Sequence, residues 1–373
     1  MCIRDRKVLL AGGGTAGHVF PAIALAREVE SMGHDVRFVG TSGGQEGRLV
    51  SEAGFELVAV EARPFERRVS IKAAMAPIAA VRSVKACRPL VEAADVVVGM
   101  GGYVSVPVVL AALRSRRPVV LHEQNAVPGL ANRTFARPAR TVALAFAEAR
   151  RALPRRARTV LTGNPVRADI LAVATDRERL AKEARAELEL DDGKRTIVVF
   201  GGSQGALHVN SAFAEALRVL DRSDLQVVLL TGPAHVEAVR ASLPAGGSVT
   251  VRVQGFLERM ELAYAVADAV VARAGATTIA EIGVCGLPSL LVPYPYATGR
   301  HQEANARALQ RAGAATMVLD DELDGRVLAD RIEWLLYDDR RLRSMGERAR
   351  AWSKPDAANA LARTVLAAGD GDE

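Results

Sequence analysis

The sequence predicts an α/β protein of two Rossmann-like domains whose parallel sheets face one central cleft. Three observations predict it. The chain has 373 residues, more than one hydrophobic core usually serves, so two domains are expected. Apolar strand-like runs alternate with helical segments through both halves, the pattern of a parallel sheet covered on both faces. One device also occurs twice. Lys7–Ala11 enters Gly12-Gly13-Gly14-Thr15-Ala16-Gly17-His18 and then a helical stretch, and Thr196–Phe200 enters Gly201-Gly202-Ser203-Gln204-Gly205-Ala206 and then another. Glycine allows positive φ and close approach of a ligand to bare backbone. A helix start adds N–H groups without intrahelical acceptors and about half a positive charge. Together they favour phosphate.

In chain order, the first half offers strands at Lys7–Ala11, Val36–Gly40, Leu57–Val60, Val96–Val98, Val119–Leu121, Thr141–Leu144 and Arg158–Leu161, with helices such as Pro21–Ser31 and Pro107–Arg114 between them. Gly163-Asn164-Pro165-Val166-Arg167 reads as a turn leaving the first domain. The first domain is therefore placed at 1–164 and the second at 165–352. The pattern restarts at Thr196 and continues through Leu225–Leu230, Val249–Val253, Ala269–Val271, Ser289–Val292 and Ala315–Val318. Arg326–Ala367 is mostly helical and breaks at Ser353-Lys354-Pro355, as proline requires. The last helix, within 353–373, is expected to return to the first domain. Met1–Arg6 reads as a disordered or misassigned stub, and 369–373 as a frayed tail.

Composition narrows the function classes. Cys2, Cys87 and Cys285 are scattered and lack metal-ligand spacing, which fits a reducing compartment. No apolar run reaches the roughly 18–20 residues of a membrane helix, and Val8-Leu9-Leu10 is too short for a signal peptide. Residues 1–164 carry 24 Lys and Arg against 13 Asp and Glu, whereas the remainder carries 25 against 30. A basic half suits nucleic acid or an anionic membrane surface. Few aromatics and no recognition motif argue against nucleic acid. Asp370 and Asp372, in the tail, form the one Asp-x-Asp, so no metal site is expected.

The motifs carry the chemistry. Gly12-x-Gly14-x-x-Gly17 matches a dinucleotide fingerprint. NAD also needs an acidic residue at the end of the second strand, and Phe38-Val39-Gly40-Thr41 has none. The loop leads instead into His18 at a helix start, where the dipole favours a neutral imidazole able to accept a proton. Met100-Gly101-Gly102-Tyr103 is a third glycine turn, read as a second phosphate cradle that leaves room for an acceptor bearing a diphosphate. Gly14, Gly101, Gly102 and Tyr103 are assigned to it. His122-Glu123-Gln124-Asn125 follows a strand in what reads as a loop; Glu123 and Asn125 suit sugar hydroxyls, Glu123 also suits a base, and His122 and Gln124 suit structural roles. Arg273 to Glu281 opens a helix with small residues: Ala276, Thr277, Thr278 and Ile279 are placed at a donor diphosphate and Glu281 at ribose hydroxyls. Gln302 and Asn305 share a helical face, and Gln302 suits a sugar hydroxyl.

Taken in order, these segments closely resemble the bacterial glycosyltransferases of family 28 that complete lipid II, over nearly the whole chain. The resemblance implies a GT-B fold. It also implies that Thr15, Ala16 and Gly17 lie beneath the transferred sugar and that Asn125 touches GlcNAc. Arg167 and Ser203 would lie near the donor diphosphate, Leu257 would present backbone to uracil, and Gln302 would contact a GlcNAc hydroxyl. The implied reaction moves GlcNAc from UDP-GlcNAc to the 4-hydroxyl of MurNAc on lipid I with inversion, His18 being the first choice of base and Glu123 the second. No cofactor is required by it, and dependence on a divalent cation is left open. Implied partners are UDP-GlcNAc, lipid I, an anionic membrane surface and other cell-wall synthesis proteins; the implied location is the cytoplasmic face of the plasma membrane. Residues 63–88, where Arg67, Arg68 and Lys72 accompany apolar residues, suit a segment on an anionic leaflet. Other readings are a GT-B transferase with a different lipid acceptor, a UDP-GlcNAc epimerase and a non-catalytic sugar-nucleotide sensor.

Overall fold

The computed structural model describes residues 5–14, 16–41, 45–60, 76–202 and 205–370. The chain divides into two compact units, Met1–Arg167 with Pro355–Glu373, and Ala168–Lys354. The crossings fall a few residues beyond the expected 164 and 352. Val166 is buried, and the Arg167 guanidinium lies 4.5 Å over the Phe20 ring, which holds both with the first unit.

In the first unit the described residues form a seven-stranded parallel sheet. Its strands are β1 (Lys7–Ala11), β2 (Asp35–Gly40), β3 (Leu57–Ala59), β4 (Val96–Gly99), β5 (Val119–Glu123), β6 (Thr141–Leu144) and β7 (Thr159–Leu161), in the order β3-β2-β1-β4-β5-β6-β7. β1, β4 and β5 are buried almost throughout, as expected of strands covered on both faces. Helices α1 (Ala16–Ser31), α2 (Gln45–Glu52), α3 (Ala76–Glu92), α4 (Ser105–Arg114) and α5 (Leu130–Phe135) connect them. α1 and α4 begin earlier than Pro21 and Pro107, because each glycine turn feeds directly into its helix. α4 and α3 pack on one face with Val108, Ala112, Val84 and Cys87. The other face takes α1 and, from the chain end, Leu361, Ala362 and Val365. Complete burial of a Leu or Val contributes roughly 1.5–3 kcal/mol, enough to hold that terminal helix. Arg6 is not a loose stub: its guanidinium donates to Leu366 O at 2.5 Å and pairs with Asp370.

The described residues of the second unit form a six-stranded parallel sheet in the order β10-β9-β8-β11-β12-β13. Its strands are β8 (Arg195–Phe200), β9 (Leu225–Leu230), β10 (Thr250–Gln254), β11 (Ala269–Ala272), β12 (Ser289–Leu291) and β13 (Ala315–Met317). Its helices are α6 (Ala168–Ala172), α7 (Arg177–Glu187), α8 (Leu207–Ala216), α9 (Val236–Ser242), α10 (Met260–Val266), α11 (Ala276–Cys285), α12 (His301–Arg311), α13 (Gly325–Leu336) and α14 (Asp339–Trp352); α15 (Ala357–Gly369) closes the first unit. Phe213, Leu229, Val271, Ile332 and Leu335 anchor one core face.

Strand order reverses beside β1 in one sheet and beside β8 in the other. Such switch points open a crevice at the carboxyl ends of the flanking strands. In the first unit Ala11 pairs with Gly99, and in the second Phe200 pairs with Ala272. Each glycine motif thus leaves its sheet at a switch point.

Candidate active site

At the first switch point two glycine turns lock together. Gly101 and Gly102 have φ of +96° and +76°, and Gly14 has +90°. A Cβ on Gly102 would strike the Gly13 carbonyl oxygen, so glycine is required for the approach as well as for the angle. The Tyr103 ring covers Gly14, 3.1 Å from where a Cβ would stand, and the His18 imidazole lies 3.0 Å from the equivalent point on Gly101. His18 lies in the first turn of α1. The structure therefore brings together Gly14, His18, Gly101, Gly102 and Tyr103. Thr15 and Ser203 lie outside the described residues, as does the segment 63–75 with Arg67, Arg68 and Lys72; Ala16 and Gly17 open α1.

A carboxylate that sequence reading missed organises the first turn. Glu46, completely buried, accepts from Gly14 N at 3.3 Å, Thr41 N at 3.2 Å and Thr41 Oγ1 at 2.5 Å. Burial pushes its pKa up, but the hydrogen bonds from Thr41, Gly14 and its own backbone outweigh that and hold it below the usual carboxylate range. So the end of β2 does meet an acidic residue, supplied by α2. Its oxygens are engaged by the protein rather than offered to a ribose, and the Gly14 amide already serves a carboxylate.

His122 and Glu123 belong to β5, where they pair with Ala143 and Leu144, and not to a loop as expected. Glu123 is 3 % exposed. Its Oε1 accepts from Asn125 N at 2.9 Å, and its Oε2 accepts from Gly129 N at 3.0 Å and Asn132 Nδ2 at 2.8 Å. Both oxygens are engaged, so Glu123 shapes the 124–132 loop and is poorly placed to take a proton. Burial raises its pKa, against the lowering effect of Asn125, Asn132 and Gly129. His122 Nε2 donates to Gly163 O at 3.2 Å. Burial pushes His122 down to about 4, the Gly163 bond opposes this, and the nearby His18 adds to it. Gln124 donates to Met100 O. Asn125 is half-buried beside the Glu123 carboxylate, and Arg167 lies with α1 in the first unit.

At the second switch point β11 ends in Arg273-Ala274-Gly275 and α11 begins. Gly275, its N-cap, is extended (φ −63°, ψ 146°) and offers no side-chain cap. The first helical hydrogen bond runs from Ile279 N to Gly275 O at 2.9 Å, so Ala276, Thr277 and Thr278 form the first turn where helix N–H groups gather. Glu281, one turn further, is buried, and its Oε2 accepts from the Tyr264 hydroxyl at 2.8 Å. Tyr264, on α10, is completely buried, with its ring edge-on to Phe200 at 6.0 Å. Sequence reading missed it.

One residue, Ala274, is gripped at both its N–H and its carbonyl. Gln302 Oε1 accepts from Ala274 N at 3.2 Å and Tyr294 N at 2.9 Å, and Asn305 Nδ2 donates to Ala274 O at 3.2 Å. Two backbone donors fix the Gln302 amide, leaving Nε2 as its donor end. His301 closes a local turn onto Thr298 O. Leu257 is half-buried in the loop after β10, beside exposed Phe256. Gly205, at φ +77°, presses against the Thr231 carbonyl. Among the described residues no group of three or more His, Cys, Asp or Glu side chains could hold a metal ion.

Two parallel-sheet α/β units, with a small-residue helix start and a buried carboxylate at the second switch point, define the class as a GT-B glycosyltransferase. The glycosyltransferase family 28 N-terminal domain matches residues 8–144 and the family's C-terminal domain matches 196–361. A relative from Halothermothrix orenii is 42 % identical over 369 residues, covering 96 % of this chain and 98 % of its own. One from Bacillus licheniformis is 38 % identical, covering 95 % and 96 %. Both are named UDP-N-acetylglucosamine--N-acetylmuramyl-(pentapeptide) pyrophosphoryl-undecaprenol N-acetylglucosamine transferase. The crystal structure of MurG from Acinetobacter baumannii superposes with a TM-score of 0.77 at 30 % identity, covering 97 % of this chain and 99 % of that one. The chain belongs to glycosyltransferase family 28.

Proposed function

We propose that the chain transfers GlcNAc from UDP-GlcNAc to the 4-hydroxyl of MurNAc on lipid I, forming lipid II for peptidoglycan with inversion at the anomeric carbon. The observation that carries the donor reading is the Tyr264-held Glu281 one turn behind the Gly275-led start of α11. The acceptor follows from the likeness to the named transferases.

On the donor side, the first turn of α11, Ala276 to Ile279, receives the diphosphate, where the helix dipole favours anions. Glu281 accepts from the ribose hydroxyls, and its bond from Tyr264 aims it. Gln302 Nε2 donates to a GlcNAc hydroxyl, while its Oε1 is held by backbone. Leu257 presents backbone to the uracil, and Ser203 and Arg167 assist at the diphosphate. As the bond to UDP breaks, the α11 dipole stabilises the charge that develops.

On the acceptor side, Gly101, Gly102 and Tyr103 cradle the lipid diphosphate. His18 takes the proton from the attacking 4-hydroxyl. Glu123 supports it by shaping the loop that presents Asn125 to the GlcNAc, above Thr15, Ala16 and Gly17. A single displacement turns the α-linked donor into a β-linked product.

The acceptor is anchored in lipid, so the enzyme works on the cytoplasmic face of the membrane, where other cell-wall synthesis proteins would meet it. In support, α3 turns Arg82 and Lys85 outward beside Val81, which is 63 % exposed, while Val84 and Cys87 face the core. Among the described residues no helix is long and apolar enough to cross a membrane.

The test is to incubate sugar-labelled UDP-GlcNAc with lipid I in detergent and extract the lipid. Label in the lipid fraction, dependent on lipid I, is expected. UDP-GlcNAc that is epimerised, or bound without turnover, would replace this reading with an epimerase or a sensor.

A further inference from the structure

The run Asp320-Asp321-Glu322 looks like a solvated acidic turn, but Asp320 departs from that pattern. Its side chain is 15 % exposed, and each oxygen has its own partner. Oδ1 accepts from Arg273 Nη1, and Oδ2 lies 3.0 Å from His208 Nδ1. Arg273, itself 9 % exposed, also donates to Val292 O and Pro293 O at 3.2 Å each, with its guanidinium 5.6 Å from the centre of the Tyr294 ring. Facing the Arg273 guanidinium, the Asp320 carboxylate serves as the acceptor, and His208 meets it with an Nδ1–H.

The consequence is topological. His208 lies in the first turn of α8, directly after the Gly201–Ala206 turn. Arg273 opens the turn before α11, and Val292 and Pro293 follow β12. These are three of the carboxyl-end turns of the second sheet, distant in sequence; Asp320, from a fourth segment, holds His208 and Arg273, and Arg273 carries the tie to Val292 and Pro293. Gln302 extends the tie, since its Oε1 joins Ala274 to Tyr294. What this polar strap adds is a fixed spacing between turns.

We propose that Asp320 is a positioning residue for the nucleotide-sugar donor. With His208 and Arg273 it sets the spacing between the start of α8, which follows Ser203, and the head of α11, both read above as near the donor diphosphate. It does not touch the donor; it acts through the two side chains that it holds. The proposal rests on the reading of α11 as the donor helix.

The test compares wild type with Asp320→Asn, His208→Gln and Glu281→Gln in steady-state transfer from UDP-GlcNAc to lipid I. Asp320→Asn should raise the donor KM about tenfold, the worth of one charge-assisted hydrogen bond, with kcat and the lipid I KM within about twofold. His208→Gln should raise it about threefold, since that contact is half-exposed. His208→Gln also carries the test if Asp320→Asn fails to fold. A residue that only held the fold together would lower kcat through a smaller active fraction and leave the donor KM alone. That result, or a lower donor KM, overturns the proposal. Glu281→Gln separates the two levels. If it raises the donor KM and the other variants do not, only the role of Asp320 falls; if none of the three raises it, the donor-helix reading falls too.

Discussion

The Tyr264 hydroxyl donates a 2.8 Å hydrogen bond to Glu281 Oε2 from a side chain with no exposed surface. A buried carboxylate needs hydrogen-bond partners. Here one oxygen is held by a ring that is itself fixed edge-on against Phe200 at the end of β8. This ties the aim of Glu281 to the central strand of the second sheet.

Tyr264→Phe keeps the ring and removes only the hydroxyl. It should raise the UDP-GlcNAc KM about tenfold, as expected for a lost hydrogen bond to a charged group. The lipid I KM should not change. Steady-state kinetics with each substrate varied in turn will read both values; an unchanged donor KM would show that Glu281 does not depend on Tyr264.

Glu123→Gln tests whether that carboxylate is scaffold or base. A glutamine must set an NH2 against at least one of the N–H donors of Asn125, Gly129 and Asn132. The expected cost is about 1–3 kcal/mol of stability, measured by urea unfolding. The pH profile of the fraction that remains active should keep its wild-type shape. Loss of the profile's basic-form dependence would make Glu123 the base instead.

Acid should weaken the first unit in two stages. His122 is held at about 4 when folded, below its unfolded value of about 6.5. The unfolded chain therefore binds the extra proton in this window, and stability falls as pH drops from about 6.5 towards 4, by about 2 kcal/mol between about pH 7 and pH 5. Glu46 is held below its ordinary value, so its contribution is present above about pH 4.5 and is lost as pH falls through the folded value. Urea titrations across this range should show the first stage in wild type and not in His122→Asn. An equal pH slope in the two proteins would rule out His122 as the group responsible.

Gly102→Ala places a methyl group on the Gly13 carbonyl oxygen at a φ of +76°. The two glycine turns cannot then interlock. Transfer should fall by more than about tenfold, while UDP binding, proposed above for the second unit, remains within about twofold. Calorimetry with UDP beside the transfer assay will separate the two effects. Retained transfer would mean that the turns need not touch.

What the sequence disclosed follows physical lines. Continuous apolar runs such as Val96–Gly99 and Ala269–Ala272 are buried parallel strands, and glycine marks where each leaves its sheet. The head of α11, with Glu281, was legible because small residues followed by an acid make a local pattern. Tyr264 and Asp320 were not, because their partners arrive from segments brought near only by the fold. Glu46 was overlooked because a glutamate in the first turn of a helix reads as a dipole complement. Glu123 was misplaced because β5 runs two residues beyond its apolar core, which turns a loop-like polar cluster inward.

The most direct measurement is single-turnover transfer from UDP-GlcNAc to lipid I by wild type and His18→Ala, with UDP-GlcNAc binding measured on the same samples. The account predicts that His18→Ala lowers the transfer rate by roughly 10²–10⁴, the usual worth of a general base, with donor binding unchanged. Transfer at the wild-type rate by a folded, donor-binding His18→Ala protein would contradict it.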